Sequence, residues 1–376
     1  MRYIKHLGSS YPPNRLSRAS WRQFLLPSGR SFLAGDQWLS PVRGLEVLTP
    51  GLHHPLVFRP SWLRAATLRS RLNAARQRLL RNGAARIALY VWRYEFASAL
   101  DLIPHDFSCY HIDDEYSFSV EESPNNPEEV ALIRRVDQVI VHSPALMGKK
   151  GHINPRTALI PNGVDYSSYV RPQPEPFDLR AIPRPCIGYT GLIKKQLDLD
   201  LLVRLARARQ QWSFVLVGPL GNVSGKEASV ETLRRLSNVH FLGNKPVEAL
   251  PGYAQHFDVC LMCYEVNSYT NYIYPLKLNE YLATGRPTVS SPIRTALGYS
   301  EFVSLASTDE EWLAHIGNGL AEPESSPLKD RRRAQAKERD WAVLVERVAD
   351  LFSSGLNLEV GGVSTTRPTR PQGAVI

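Results

Sequence analysis

The stretch "CIGYTGLIKKQLDLDLLVRLARARQQWSFVLVG" (Cys186–Gly218) decides the fold. It opens on the strand-like run Cys186–Thr190, passes through a helical segment over Leu197–Arg209 and closes on a second strand, Ser213–Gly218. Both strand runs are nearly continuous in apolar residues, the pattern of strands buried on both faces of a parallel sheet. The same alternation continues C-terminally. A helix over Ala228–Leu236 is followed by strand Val239–Gly243, a helix over Val247–Gln255 and strand Asp258–Cys263, and the set ends with the Leu276–Thr284 helix and "PTVSS". Crossovers between parallel strands are right-handed, which places a ligand edge at the strand C-termini.

Upstream, a second alternating region carries strands Ile87–Val91, Phe107–Ile112, Asp137–Ser143 and one beginning at Thr157, with a helix over Pro127–Arg135 whose "PEE" start suits the helix dipole. Between the two regions lies "RPQPEPFDLRAIPRP" (Arg171–Pro185), in which five of fifteen residues are proline. Such a stretch reads as a linker. The first 60 residues show little periodicity, although "YIKHLGSSYPP" reads as a strand and turn in worn form. Pro327–Phe352 reads as one long helix, and residues 356–376 have a disordered composition. The expected division is an N-terminal domain over 1–175, a second domain over 176–326, a C-terminal helix over 327–355 packing back toward the first domain, and a tail.

A chain of 376 residues, 43% hydrophobic and 22% charged, suits two soluble domains. No apolar run approaches the length of a spanning helix, and "MRYIKHLGSSYPPNRL" lacks the apolar core of a signal peptide, so a cytoplasmic location is expected. The four cysteines are expected to be reduced, and Cys260 and Cys263, inside "VCLMCY", read as buried thiols and not as a metal or redox pair. The net charge of +9 is uneven: residues 1–86 hold 15 basic and 2 acidic side chains, a net +13, and the remainder sums to −4. Within the basic part, Trp62–Gly83 forms an amphipathic helix with Leu68, Leu72, Ala75 and Leu79 at helical spacing. It reads as a solvated face or as a surface for an anionic membrane; no fold motif supports nucleic acid.

Chemistry concentrates in "YPLKLNEYLATGRPTVSS" (Tyr274–Ser291). Lys277 and Glu280 share one face of a helix that Pro275 opens. Lysine and a helix N-terminus favour phosphate, and a glutamate one turn deeper accepts hydrogen bonds from a diol. An intrahelical surface ion pair is the competing reading.

This segment resembles the donor-site segment of nucleotide-sugar glycosyltransferases of the GT-B fold, in particular the family-4-like bacterial enzymes of polysaccharide and cell-envelope synthesis. "IGYTGLIKKQLDLDLLVRLA", "FVLVGP", "NVHFLGNKPVEALPGYAQHFDVCLMCY" and "SPALMGKKGHINPRTALIPNGVD" resemble the same family in order and spacing. The resemblance implies an α/β architecture of two Rossmann-like domains facing across a cleft. It implies a nucleotide diphosphate-sugar donor, a glycan or lipid-linked acceptor, no cofactor and no metal. Glu280 takes the place of the ribose-binding glutamate, and Lys277 that of a diphosphate partner. Gly191, Lys194 and Lys195 fall in the diphosphate loop, and Gly243 and Lys245 where the base is flanked. Many relatives have a sugar-contacting glutamate eight positions before the ribose glutamate; here Tyr272 stands there, so the sugar contact is expected from backbone amides or Asn271. "YHIDDEYS" ends a strand of the first domain, which makes Asp113 and Asp114, and less strongly His111, candidates for deprotonating the acceptor. Lipid-linked acceptors favour the membrane reading of the basic helix and a peripheral position at the inner face of the cell membrane. A nucleotide-sugar binding protein without catalysis and a GT-B epimerase are the alternatives.

Overall fold

The computed structural model describes residues 3–6, 37–42, 45–49, 61–115 and 124–357. Three short strands, β1 (Tyr3–His6), β2 (Gln37–Val42) and β3 (Leu45–Thr49), form a small sheet in which β1 runs parallel and β2 antiparallel to β3. The strand read from "YIKHLGSSYPP" is therefore present, while the turn after it lies outside the described residues. A second sheet joins β4 (Ala88–Val91), β5 (Phe107–Ile112), β6 (Gln138–Val141) and β7 (Thr157–Leu159) in that order, all parallel. Leu68 and Leu72, on the helix Ser61–Arg81, pack into the core of this lobe beside Leu89, Tyr110 and Leu132.

The other lobe contains β8 (Cys186–Thr190), β9 (Ser213–Val217), β10 (Val239–Gly243), β11 (Val259–Met262), β12 (Thr288–Ser290) and β13 (Ser304–Leu305). The strand order is β10-β9-β8-β11-β12-β13, and every pairing is parallel. Each residue of β8, β9 and β11 is buried, which accounts for their unbroken apolar runs. The chain winds outward from β8 to β10 and then returns to the other side of β8 with β11. The winding reverses between β8 and β11, and in such sheets the crevice outside the strand C-termini at that point accepts ligands. The four cysteines are buried free thiols, and burial pushes Cys260 and Cys263 up to about 12.

The C-terminal segment differs from the single helix expected of Pro327–Phe352. It forms two helices, Pro327–Lys337 and Trp341–Gly355, because the backbone between them leaves helical geometry to pair with another segment. Val164 donates its N–H to the Arg339 carbonyl (2.9 Å), the Trp341 N–H donates to the Val164 carbonyl (3.0 Å), and Asp340 restarts the helix by capping Ala342. A Cβ on Gly163 would lie 2.8 Å from the Arg339 carbonyl oxygen and from the Trp341 ring, so only glycine allows this approach. The helix Trp341–Gly355 then covers the first lobe, with Leu344 and Phe352 packed among Ala88, Phe107, Ile140 and Ile160. Residues 358–376, including most of the predicted tail, lie outside the described residues.

Candidate functional site

Two glycines shape the switch point. Gly191 follows β8 with φ +124°, and Gly218 follows β9 with φ +146°. A Cβ on Gly218 would stand 2.1 Å from the Gly191 carbonyl oxygen, and one on Gly191 would stand 2.6 Å from Lys277 Nζ. The strand ends therefore approach one another and a lysine as closely as backbone permits. The helix Leu276–Thr284 is fixed against this loop by Tyr281, whose hydroxyl accepts the Thr190 N–H at 2.8 Å.

Lys277 is partly buried, with its ammonium 4.9 Å from the centre of the Tyr189 ring. One turn on, Glu280 is also partly buried. Burial raises its carboxyl, while Lys277 and the Tyr169 hydroxyl pull it back down. Lysine and glutamate thus point into the molecule beside the β8 loop and do not form a pair on the outer surface. Lys194 joins them: burial lowers its ammonium, Asp114 raises it, and Lys277 lowers it again. Lys195, the neighbour proposed with it, is exposed.

From the first lobe, β5 delivers Asp113 and Asp114. Consecutive residues diverge as an extended segment requires, with Asp113 exposed and Asp114 half-buried. Asp114 Oδ1 accepts the Glu115 N–H (2.9 Å), and Oδ2 accepts the Tyr269 hydroxyl from the other lobe (3.2 Å). Burial pushes the Asp114 carboxyl up to about 6, assisted by Asp113 and opposed by Tyr269 and Lys194. His111 lies one layer back. Its Nδ1 meets the Tyr90 hydroxyl, its ring stacks on Trp92 at 4.3 Å, and burial pushes it down to about 3. An imidazole so depressed is a weak proton acceptor at neutral pH and suits a hydrogen-bonding role.

The remaining sequence-derived residues stand elsewhere in the lobe. Gly243, with φ +69°, accepts the Gly218 N–H through its carbonyl (2.8 Å). Lys245 pairs with Asp178 at 2.6 Å, and Asp178 also accepts the Tyr253 hydroxyl. Asn271 Oδ1 accepts the Arg294 N–H at 3.3 Å. Tyr272 is 2% exposed and packs with the first lobe's core; Ser143 Oγ donates to its carbonyl at 2.7 Å. Asp198, Asp200 and Glu265 also approach one another, but Lys226 pairs with Asp200 (2.6 Å) and Glu265 and answers their charge. Sequence reasoning missed Tyr169, Tyr189 and Tyr269. The only signal for the last is its place in the tyrosine-dense run Asn267–Pro275, beyond β11.

Residues 184–320 match the family described as Glycosyl transferases group 1. A curated relative, the "Putative teichuronic acid biosynthesis glycosyltransferase TuaH" of Bacillus subtilis (strain 168), is 27% identical over 232 residues, or 58% of this chain. The aligned region spans 57% of that relative's length. Among solved structures, sucrose-phosphate synthase from Thermosynechococcus elongatus superposes with a TM-score of 0.65 at 18% identity, covering 86% of each chain. The UDP-forming alpha,alpha-trehalose-phosphate synthase from Burkholderia vietnamiensis gives 0.59 at 15% identity, covering 86% of this chain and 88% of its own. The chain thus has the GT-B fold, and its residues 184–320 match the Glycosyl transferases group 1 family.

Proposed function

We propose that the protein transfers a sugar from a nucleotide diphosphate donor to a glycan or lipid-linked acceptor of the cell envelope. The carrying observation is the meeting of Lys194, Lys277 and Gly191 at the β8–β11 switch point, with Glu280 one turn deeper and Asp114 opposite. Two partly desolvated ammonium groups suit the diphosphate, whose charge grows as the glycosidic bond breaks; cations fixed at that point stabilise the departing group. Glu280 suits the ribose diol. Asp114, with its carboxyl at about 6, is placed to take the acceptor's proton. The names of TuaH and of the phosphate-sugar synthases agree with this class of reaction.

A binding protein without turnover is the second reading, and Tyr272 favours it. The side chain at the position of the expected sugar-contacting glutamate is buried against the other lobe, where it cannot reach a sugar. Thermal shifts with UDP-, GDP- and ADP-sugars test the donor reading, since a ligand of the native state raises its melting temperature. One nucleotide class should stabilise the protein. Glu280→Ala should weaken that affinity about tenfold or more, the value of hydrogen bonds to a charged group. No shift with any nucleotide-sugar would refute the donor reading, and donor binding without turnover on lipid-linked or oligosaccharide acceptors would select the second. We also propose a peripheral position at the inner face of the cell membrane, for which the exposed Arg69 and Arg81 of the helix Ser61–Arg81 supply the charge.

A further inference from the structure

Asp114 is half-buried, and a different lobe holds each of its carboxylate oxygens. The Glu115 N–H grips Oδ1 at 2.9 Å from the first lobe, and the Tyr269 hydroxyl reaches Oδ2 at 3.2 Å from the second. A carboxylate offers about four lone-pair sites, so two such bonds fix its plane and leave sites for an acceptor hydroxyl. Tyr269 is held in its turn. Asn267 Oδ1 accepts the backbone N–H groups of Tyr269 and Thr270, both at 3.0 Å, and the hydroxyl of the buried Thr270 donates to the Glu265 carbonyl. Glu265 donates its N–H to the Gln196 carbonyl at 2.9 Å and pairs with Lys226 through its carboxylate. The turn that presents Tyr269 is thus built on the backbone that flanks the loop of Gly191 and Lys194.

We propose that Tyr269 is the positioning residue of the acceptor's base: its hydroxyl, carried on the second lobe, holds the Asp114 carboxylate in place, so that the base is set only where the two lobes meet. The inference rests on Asp114 being the base, as read above, and adds the group that readies it. A hydrogen bond donated to a carboxylate favours its charged form. Burial pushes the Asp114 carboxyl up to about 6; the Glu115 N–H, the Tyr269 hydroxyl and Lys194 oppose the rise, and Asp113 assists it. Those are the groups that face it: Asp113 and Glu115 from its own strand end, Lys194 from the loop after β8 and Tyr269 from the segment after β11. Burial and the Asp114 charge raise the Tyr269 hydroxyl, so it stays a neutral donor at working pH. Without that hydroxyl the carboxyl should rise further, and a base that works ionised should fail at a higher pH than before.

The test is NMR of the full chain carrying carboxyl-labelled aspartate, with Asp114→Asn identifying the Asp114 signal. The titration is then read directly and needs no substrate. In Tyr269→Phe, which removes one oxygen and keeps the ring, the midpoint should move up by about one pH unit, the equivalent of a hydrogen bond lost to a charged group. The acid limb of turnover, followed with the donor and acceptor that the screens above select, should move up with it. Donor affinity should stay level, since Lys277 and Glu280 are untouched. An unmoved midpoint, an acid limb that stays in place, or a loss of donor binding in Tyr269→Phe would overturn the inference. Asp114→Asn separates this from failure of the base reading. If it turns over as fast as the unmodified protein, that reading falls and the inference with it; if it is inactive while Tyr269→Phe changes nothing, only the inference falls.

Discussion

Lys150 is 0% exposed, yet it is an ammonium within a hydrophobic lobe. Its Nζ lies 2.8 Å from Glu129 Oε2 and 3.3 Å from Glu115, and the Tyr110 hydroxyl donates to the second Glu129 oxygen at 3.0 Å. Lys149 Nζ also stands 3.4 Å from Glu115, so two carboxylates, two cations and a phenol answer one another in a largely buried place. Glu115 follows Asp114 directly, so the cluster also fixes the end of β5 that carries Asp114. Lys150→Met should cost about 3–5 kcal/mol, because it strands Glu129 as a buried charge without its cation, while Glu115 keeps Lys149. Urea unfolding measures this, and a loss below about 1 kcal/mol would show that the fold does not depend on this ammonium. The sequence showed Lys277 and Glu280 because three-residue spacing on a helix is a local signal. It hid the contact of Tyr269 with Asp114, which spans 155 residues and depends on how two lobes dock.

At the scale of elements, the helix Ser61–Arg81 spends its apolar stripe inside the protein. Leu68, Leu72, Ala75 and Leu79 are buried in the protein, and so is Arg71. The periodicity was legible, but it could not say which apolar partner the stripe would find. Attraction to a membrane would then be purely electrostatic, through outward arginines, and would vanish on screening. Co-sedimentation with phosphatidylserine-containing vesicles should be detectable at 20 mM salt and lost near ~0.3 M, where the screening length falls well below 10 Å. Arg69→Ala with Arg81→Ala should reduce it at low salt. Salt-resistant binding would show insertion of some other surface. The strands of the second lobe were legible for the opposite reason: burial on both faces leaves no alternation to misread, as in Cys186–Thr190. The break between Lys337 and Trp341 was not legible. "KERDWA" contains neither glycine nor proline, and only the pairing with Val164 ends the helix there.

Across the whole molecule the lobes meet through a few directional contacts. Asn162 Nδ2 donates to the Tyr274 carbonyl and Asn279 Nδ2 donates to the Asn162 carbonyl, both at 2.7 Å, while Ser143 holds Tyr272. Each contact ties the "NGVD" turn or the end of β6 to the segment leading into the Leu276–Thr284 helix. That helix carries Lys277, so the geometry of the cationic loop depends on how the lobes dock. Two-sheet architecture was legible from the two runs of alternation and the proline-rich stretch between them; the docking was not, because hydrogen bonds between distant amides leave no periodic trace.

The return of the final helix to the first lobe has a consequence for synthesis. A nascent chain emerges from its N-terminus, yet Phe107, Ala88 and Ile160 await Leu344 and Phe352, which are made only after the whole second lobe. Until then the first lobe presents a bare apolar face, the kind of surface that chaperones bind and that drives aggregation. A chain ending at Lys337 should keep both sheets' sequences but accumulate in the insoluble fraction. Supplying residues 338–357 as a separate peptide during refolding should recover soluble protein. Comparable solubility of the shortened chain, measured by fractionation at equal expression, would show that the first lobe matures without waiting for that helix.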